Sequence, residues 1–443
     1  MASQRFKQTS VLIANTFAFT MCFMVWTMFG EIGVPIAEQL ALNGTQFGIL
    51  TAVPILIGSL ARLPLGAMTD RYGGRPVFFM ILLLIVPSIW MVQFATEYWQ
   101  FLVLGGFIGL AGGSFSVGIT YTAKWFEKDR QGLAMGIFGA GNAGAAVTKF
   151  IAPTVIVVLS WQAVPNIYAA IMLITAILFW FFTFSNPDHR NTSKVSLRDQ
   201  AKVLNDPKVW KYCQYYSVVF GGYVGVSLWL TRYYMGEYGM GIQLAALVAT
   251  IFVLPSGVIR AFGGWLSDRF GAHTVTWTCM WASLIALFIM SYPETSYSIQ
   301  STTDGSVDFS FGIPIWLFTA ALFVVGISWG IGKASVFKYL SNDYHENLGL
   351  VSGIVGLAGG MGGFLLPIMF GALVDLTGVA TTVWMLCFGV TLVSIIWMWW
   401  TERRVPMLTR KVLAETALSN TAASQAAVAG SGKLSNQFEE LNP

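Results

Sequence analysis

Apolar stretches of roughly 20 residues follow one another along almost the whole chain, separated by short polar segments. Nothing constrains the fold more. In lipid every backbone N–H and C=O must be satisfied internally, and only helices or closed barrels achieve that. Twelve such stretches fall at about 11–34, 46–69, 76–94, 98–122, 131–158, 162–184, 209–231, 243–267, 274–292, 312–338, 348–374 and 379–400. Charged residues are only 10% of the 443 and hydrophobic ones 55%, whereas a soluble domain carries roughly 25% charged. An all-α membrane protein with twelve transmembrane helices is expected.

The basic residues orient it. With the N-terminus inside, cytoplasmic ends and loops hold 20 of the 25 Lys+Arg, including Lys124, Lys128, Arg130, the 190–211 stretch, Arg403 and Arg404. The outer loops hold only Arg232. This is the positive-inside pattern, and it places both termini in the cytoplasm of a multi-pass inner-membrane protein. The first stretch, preceded by Arg5 and Lys7, is too long for a cleaved leader and lacks its small-residue site. The net charge of +4 suits anionic lipid and gives no reason to expect nucleic acid.

Cys22, Cys213, Cys279 and Cys387 stand singly, and His189, His273 and His345 map to cytoplasmic loops. A membrane-embedded redox enzyme would need such ligands at depth. No cofactor, metal or enzymatic activity is expected.

The chain is a tandem duplication. A shift of 198 residues lays Arg62, Gly66, Asp70 and Arg71 on Arg260, Gly264, Asp268 and Arg269. Further on the shift is 217, laying Gly109, Gly132, Gly136 and Gly139 on Gly326, Gly349, Gly353 and Gly356. The polar loop 293–311 accounts for the extra residues and is expected to face outward. Two six-helix bundles follow, 1–184 and 209–400, joined by a cytoplasmic linker, 185–208, and ending in a largely disordered tail, 401–443.

Arg62 and Arg260 carry the sharpest chemistry. Each lies eight residues before its motif Asp, so at 1.5 Å per residue it sits roughly 12 Å inward, near the middle of the bilayer. A buried guanidinium cannot shed its proton and needs a pair, a wet cavity or a ligand. Glu31 and Asp375, the nearest carboxylates, come at the ends of their helices, so no carboxylate is expected to serve the arginines. Either the arginines satisfy helix carbonyls or, being matched across a pseudo-twofold axis, they clamp a flat oxyanion with parallel hydrogen bonds.

Helix 5 carries GIFGAGNAGAAVTKF, residues 136–150, and helix 11 carries GLAGGMGGF. Gly139, Gly141, Gly144, Gly356, Gly359 and Gly360 leave nearly bare faces. They allow close helix packing, and a packing face can also slide. Asn142 is the polar group projecting from the first.

Two loops, GAMTDRYGGRP and its echo GGWLSDRFGAH, resemble the signature loop of the major facilitator superfamily. There Asp70 and Asp268 could take hydrogen bonds from a neighbouring helix end, while Arg71, Arg75 and Arg269 hold the inner surface, forming a cytoplasmic gate or simply anchors. The glycine motifs, with arginines in LARLPLG and VIRAFGG, resemble the nitrate/nitrite porter family of that superfamily over all twelve helices. That resemblance implies that Arg62 and Arg260 clamp nitrate or nitrite, that Phe115 and Tyr216 sandwich it, and that Asn142 lies nearby. A monomer is expected.

Two residues depart from that family's pattern. Lys333, in GIGKASVFKYL of helix 10, stands where asparagine is usual, and Lys149 where an uncharged polar residue is common. Either could line the pathway or snorkel, Lys149 toward the outer side and Lys333 toward the inner. Bringing one negative charge inward costs about 2.3 kcal/mol per 100 mV, so uptake needs coupling. Lys149, Lys333 and Glu31 are the titratable candidates for proton coupling. Proton-linked nitrate uptake, as in assimilation, is therefore expected ahead of nitrate/nitrite exchange, and transport of another organic or inorganic anion is the more distant reading.

Overall fold

A computed structural model describes residues 4–185, 205–300, 302, 305–344 and 348–401. Most of the linker and of the tail, with His189 and His345, lies outside the described residues. Among those described, ten helices are long and apolar enough to cross a membrane, eleven if a bent pair is one span.

In chain order α1 runs Gln4–Trp26 and Phe29–Gln39, α2 Gly44–Tyr72, and α3 Gly74–Phe94. The next three are α4 (Tyr98–Ala123), α5 (Lys128–Val158 overall) and α6 (Ala163–Phe182). The second set begins with α7 (207–238), which completes the twelve and is split by a π turn at Ser217–Gly221. Then come α8 (Ile242–Val258 and Arg260–Phe270), α9 (Ala272–Met290), α10 (Ile315–Asp343), α11 (Leu348–Thr377) and α12 (Thr382–Thr401). The described residues up to 394 form one compact unit. Of the remainder, 395–401 are the last turns of α12, where the Thr401 hydroxyl donates to the Trp397 and Met398 carbonyls at 3.0 Å.

Local chemistry sets the elements. Asn43 caps α2 by accepting from the Gln46 amide at 2.8 Å, and the Asn43 backbone N–H donates to Gln46 Oε1 at 3.0 Å. At the other end Gly73 turns the chain into α3 with φ 89°, a conformation that favours glycine. Gly271, 198 residues later, does the same between α8 and α9 with φ 86°. The duplication seen in side chains therefore extends to backbone geometry.

Three departures from expectation matter. The loop 293–311 folds into an antiparallel hairpin, β1 (Thr295–Gln300) on β2 (Ser306–Phe311). Arg232 lies in α7 rather than in a loop. And α1 continues to Gln39, past the position where its apolar run thins, so Glu31 is not peripheral but 1% exposed inside the protein.

The two halves meet where α1 touches α7, at Gly30 and Leu228, and along two longer seams. On the first, α2 lies on α11: Gly44 against Gly371, Gly48 against Pro367, Ser59 against Gly360 and Arg62 against Gly356. On the second, α5 lies on α8, with Ala143 against Gly257 and Gly139 against Arg260. One turn further toward Asp70, Gly66 and Gly353 face open space. The first seam is thus closed from the Asp375 end to the arginines and parts beyond them.

Candidate functional site

Four helices lose regular α geometry near the arginines. A 3-10 turn interrupts α4 at Leu110–Gly113 and α5 at Ala140–Ala143, α7 has its π turn, and α8 bends by 50° immediately before Arg260. Pro255 lies within α8 ahead of that bend, where its ring disfavours a straight helix. The glycines in the first two turns allow tight windings that a β-branched residue would oppose.

Arg62 and Arg260 are 6% and 8% exposed. They share one ring: the Phe115 centroid lies 5.5 Å from the Arg62 guanidinium carbon and 5.6 Å from that of Arg260. Trp26 and Phe220 also flank Arg62, at 5.9 and 5.2 Å, and Phe337 flanks Arg260 at 5.5 Å. Such contacts contribute about 0.5–2 kcal/mol each and do not replace a counter-charge. Nη1 of Arg62 donates to the Gly356 carbonyl at 2.7 Å, and Nε to that of Gly112 at 3.5 Å. Nη1 of Arg260 is buried with no partner. The carbonyl-satisfying reading therefore describes Arg62 in part and leaves Arg260 incomplete.

The signature glycines divide by task. Gly139 and Gly356, counterparts in the duplication, each face the arginine of the opposite half: a methyl on Gly139 would stand 3.4 Å from Arg260 Cδ, and one on Gly356 3.7 Å from Arg62 Nη1. The others serve packing. A methyl at Gly141 would collide with Phe19, at Gly144 with the α1 backbone at Thr20, at Gly359 with Tyr216, and at Gly360 with Ser59.

Tyr216 stands differently from the expected sandwich. It stacks on Phe220 at 5.2 Å and meets Phe337 edge-on at 4.8 Å, and these two rings lie 5.2 Å from the Arg62 and 5.5 Å from the Arg260 guanidinium carbon. Its hydroxyl is within electrostatic reach of Arg62. Asn142 is fully buried with both amide atoms unpartnered, while its main-chain carbonyl accepts from the Tyr223 hydroxyl at 3.1 Å. Lys333 does not reach an inner surface. It is fully buried, its Nζ lies 3.5 Å from the Tyr223 ring centroid without a hydrogen-bond partner, and it interacts electrostatically with Arg260. Buried polar groups are nearly always satisfied, yet Asn142, Arg260 and Lys333 each keep an orphaned donor.

Lys149 neither snorkels nor stands alone in a pathway but forms a buried ion pair. Its Nζ donates to Glu31 Oε1 at 2.5 Å and to the Thr231 hydroxyl at 2.9 Å, and Thr231 donates in turn to Oε1 at 3.0 Å. The triad ties α1 and α5 to α7, across the halves. Asp375 adds a second tie by accepting from the Gly44 and Thr45 amides, at 2.8 and 2.7 Å, at the N-terminus of α2. Neither Thr231 nor Asp375 was singled out from sequence as a binding group. Their signals, a hydroxyl in an apolar helix and an acid near a helix end, are too common.

The loop residues behave otherwise. Asp70 pairs with Lys124 at 2.8 Å and Asp268 with Lys338 at 2.7 Å, so each acid binds a lysine rather than a helix end. Arg71 lies over Tyr72, Arg269 over Trp265 and Phe270, and Arg75 donates to the Trp180 carbonyl at 2.6 Å. Each of these contacts stays within its own half. These contacts brace each bundle from within. His273 begins α9, stacked on Trp277. A cavity of about 340 Å³ opens elsewhere, beside Tyr233 and Phe318, but Glu237 and Glu294 line it and disfavour an anion.

Helices in two sets of six, irregular at their centre around a pair of buried arginines, define a transporter of the major facilitator fold rather than an enzyme. The Major Facilitator Superfamily model matches residues 11–299 and 233–431. A solved bacterial homologue of the human lysosomal transporter Spinster, inward-facing and occupied, has a TM-score of 0.66 at 14% identity and covers 90% of this chain and 97% of its own; that likeness concerns the fold alone. Among curated relatives, a probable nitrate/nitrite antiporter NarK1 of Thermus thermophilus is 36% identical, covering 90% of this chain and 92% of its own. A nitrite extrusion protein of Bacillus subtilis is 29% identical (86% and 92%), and a probable nitrate transporter NarT of Staphylococcus haemolyticus 30% (83% and 90%). The chain belongs to the nitrate/nitrite porter family of the major facilitator superfamily.

Proposed function

We propose that the protein carries nitrate, and nitrite with it, across the inner membrane by alternating access, as a proton-coupled symporter. One observation supports this above the rest: two buried arginines from opposite halves flank a single phenyl ring, and Arg260 keeps an unpartnered guanidinium nitrogen. A planar anion of three oxygens accepts from such forks along its edges while its face lies on an aromatic ring. The halves, 1–184 and 209–400, rock about that site, with both termini and the Asp70 side cytoplasmic and the monomer as the working unit. The binding set is Arg62, Arg260, Phe115 and Asn142, with Tyr216 backing the rings.

Exchange of nitrate for nitrite is the second reading, favoured by the name of the 36% identical Thermus relative. Proteoliposomes decide between them. With an inward proton gradient and no internal anion, symport accumulates nitrate; uptake that requires internal nitrite and ignores the gradient would establish exchange.

A further inference from the structure

The two unusual lysines are in opposite situations. Lys149 is neutralised by Glu31 and holds the halves together through Thr231. Lys333 has neither a carboxylate nor a hydrogen-bond acceptor among the described residues. The titratable and charged groups that face it are Tyr223 from α7, whose hydroxyl is committed to the Asn142 and Val253 carbonyls, and Arg260 from α8, a fixed positive charge. From α5 comes the uncharged Asn142 region, and from α9 the Thr276 hydroxyl, bonded to Ser335 two residues along α10. Its surroundings are thus buried and positive.

That arrangement matters because arginine cannot release its proton and lysine can. An ammonium with three unfilled donors beside a guanidinium is held only by the Tyr223 ring, a smaller attraction than the cost of stripping its water. A nearby anion reverses the balance, since an opposite charge favours the protonated form.

We propose that Lys333 is the coupling group: its amine is neutral while the site is empty and takes one proton from the entry side when the anion settles between Arg62 and Arg260. The anion and the ammonium then cross as a neutral pair, and departure of the anion releases the proton on the far side. Glu31 and Lys149 act as the latch of the Asp375 side and not as the proton carrier. This assignment rests on the proton-coupled reading above and names the atom, Lys333 Nζ, on which coupling depends.

Titration calorimetry of nitrate binding to the full-length protein, in two buffers of different ionisation enthalpy, counts the protons taken up. The expected count is near one for the native chain, with affinity falling about tenfold per pH unit on the alkaline limb. It drops to near zero in Lys333→Arg, whose side chain is always charged, and in Lys333→Asn, while Glu31→Gln keeps it. A native count of one that survives in the lysine variants would overturn the role of Lys333 and leave symport standing. A native count of zero would remove the proton-coupled reading and this inference together. Should Lys333→Asn not fold, Lys333→Arg alone carries the test.

Discussion

The two arginines occupy matched positions in a duplicated helix, yet their surroundings have diverged. Arg62 sits on an unbroken α2, shares three rings and is anchored to the Gly356 carbonyl. Arg260 follows a 50° bend, keeps an unpartnered nitrogen and has Lys333 beside it. The same shift of 217 residues that aligns Gly139 with Gly356 lays Lys333 on Ser116, whose hydroxyl donates to the Arg62 carbonyl at 3.0 Å. It lays Leu366 on Lys149. Duplication thus provided two equivalent cations, and later divergence made one fixed and the other conditional. A transporter needs both properties: a firm half of the clamp to define the site, and a half whose energy depends on whether the anion is there.

The sharpest way to break that comparison is to remove each arginine in turn. Arg62→Ala and Arg260→Ala should both abolish measurable nitrate binding, a loss of about 4 kcal/mol or more. Their effects on the empty protein should differ. Arg62→Ala leaves the buried Gly356 carbonyl without its charged donor and should lower thermal stability, by about 1.5–3 kcal/mol. Arg260→Ala removes an orphaned cation and should leave melting unchanged or raised. Equal destabilisation by both would mean that the asymmetry carries no energy.

Glu31→Gln comes next. Losing one partner of a buried ion pair costs about 3 kcal/mol at the low end, and here the pair bridges the halves, so the cost should appear as opening of the Asp375 side. A cysteine introduced at Leu50, 1% exposed in this state, should then react with a membrane-impermeant maleimide much faster than in the Glu31 background. Unchanged labelling would remove the latch.

A smaller effect, about 1 kcal/mol at most, is expected for Gly139→Ala, whose methyl would come into van der Waals contact with Arg260 at 3.4 Å, and less for Gly356→Ala at 3.7 Å. Nitrate affinity should fall more in the first, and the reverse order would assign the tighter seat to Arg62. Least of all, Asp70→Asn and Asp268→Asn break exposed pairs within one half and should each change stability by under about 1 kcal/mol.

Much of this was legible before any coordinates. Twelve helices, the duplication and the depth of Arg62 and Arg260 follow from apolar run lengths and fixed offsets, because the bilayer enforces both. The pairing of Gly139 and Gly356 with the opposite arginines was not legible, because the shifts of 198 and 217 match equivalent residues without saying what each touches. What could not be read was contact across long separations. Glu31 and Lys149 are 118 residues apart, and Glu31 looked peripheral because the apolar run thins before α1 ends. Asp375 reaches Gly44 over 331 residues. Tyr216 and Phe220 lie one turn apart on one helix face, so pattern alone gives no reason to prefer either as the ring beside Arg62; only packing puts Phe220 there. The neutral-looking turn at Ile259 likewise hides the bend that sets Arg260 apart.

The most direct test of a shared clamp is a structure determined with nitrate bound. The account predicts one planar anion over Phe115, hydrogen-bonded to both Arg62 and Arg260 and taking up the free Arg260 nitrogen. An anion bound away from these guanidinium groups, or held by only one of them, would contradict it.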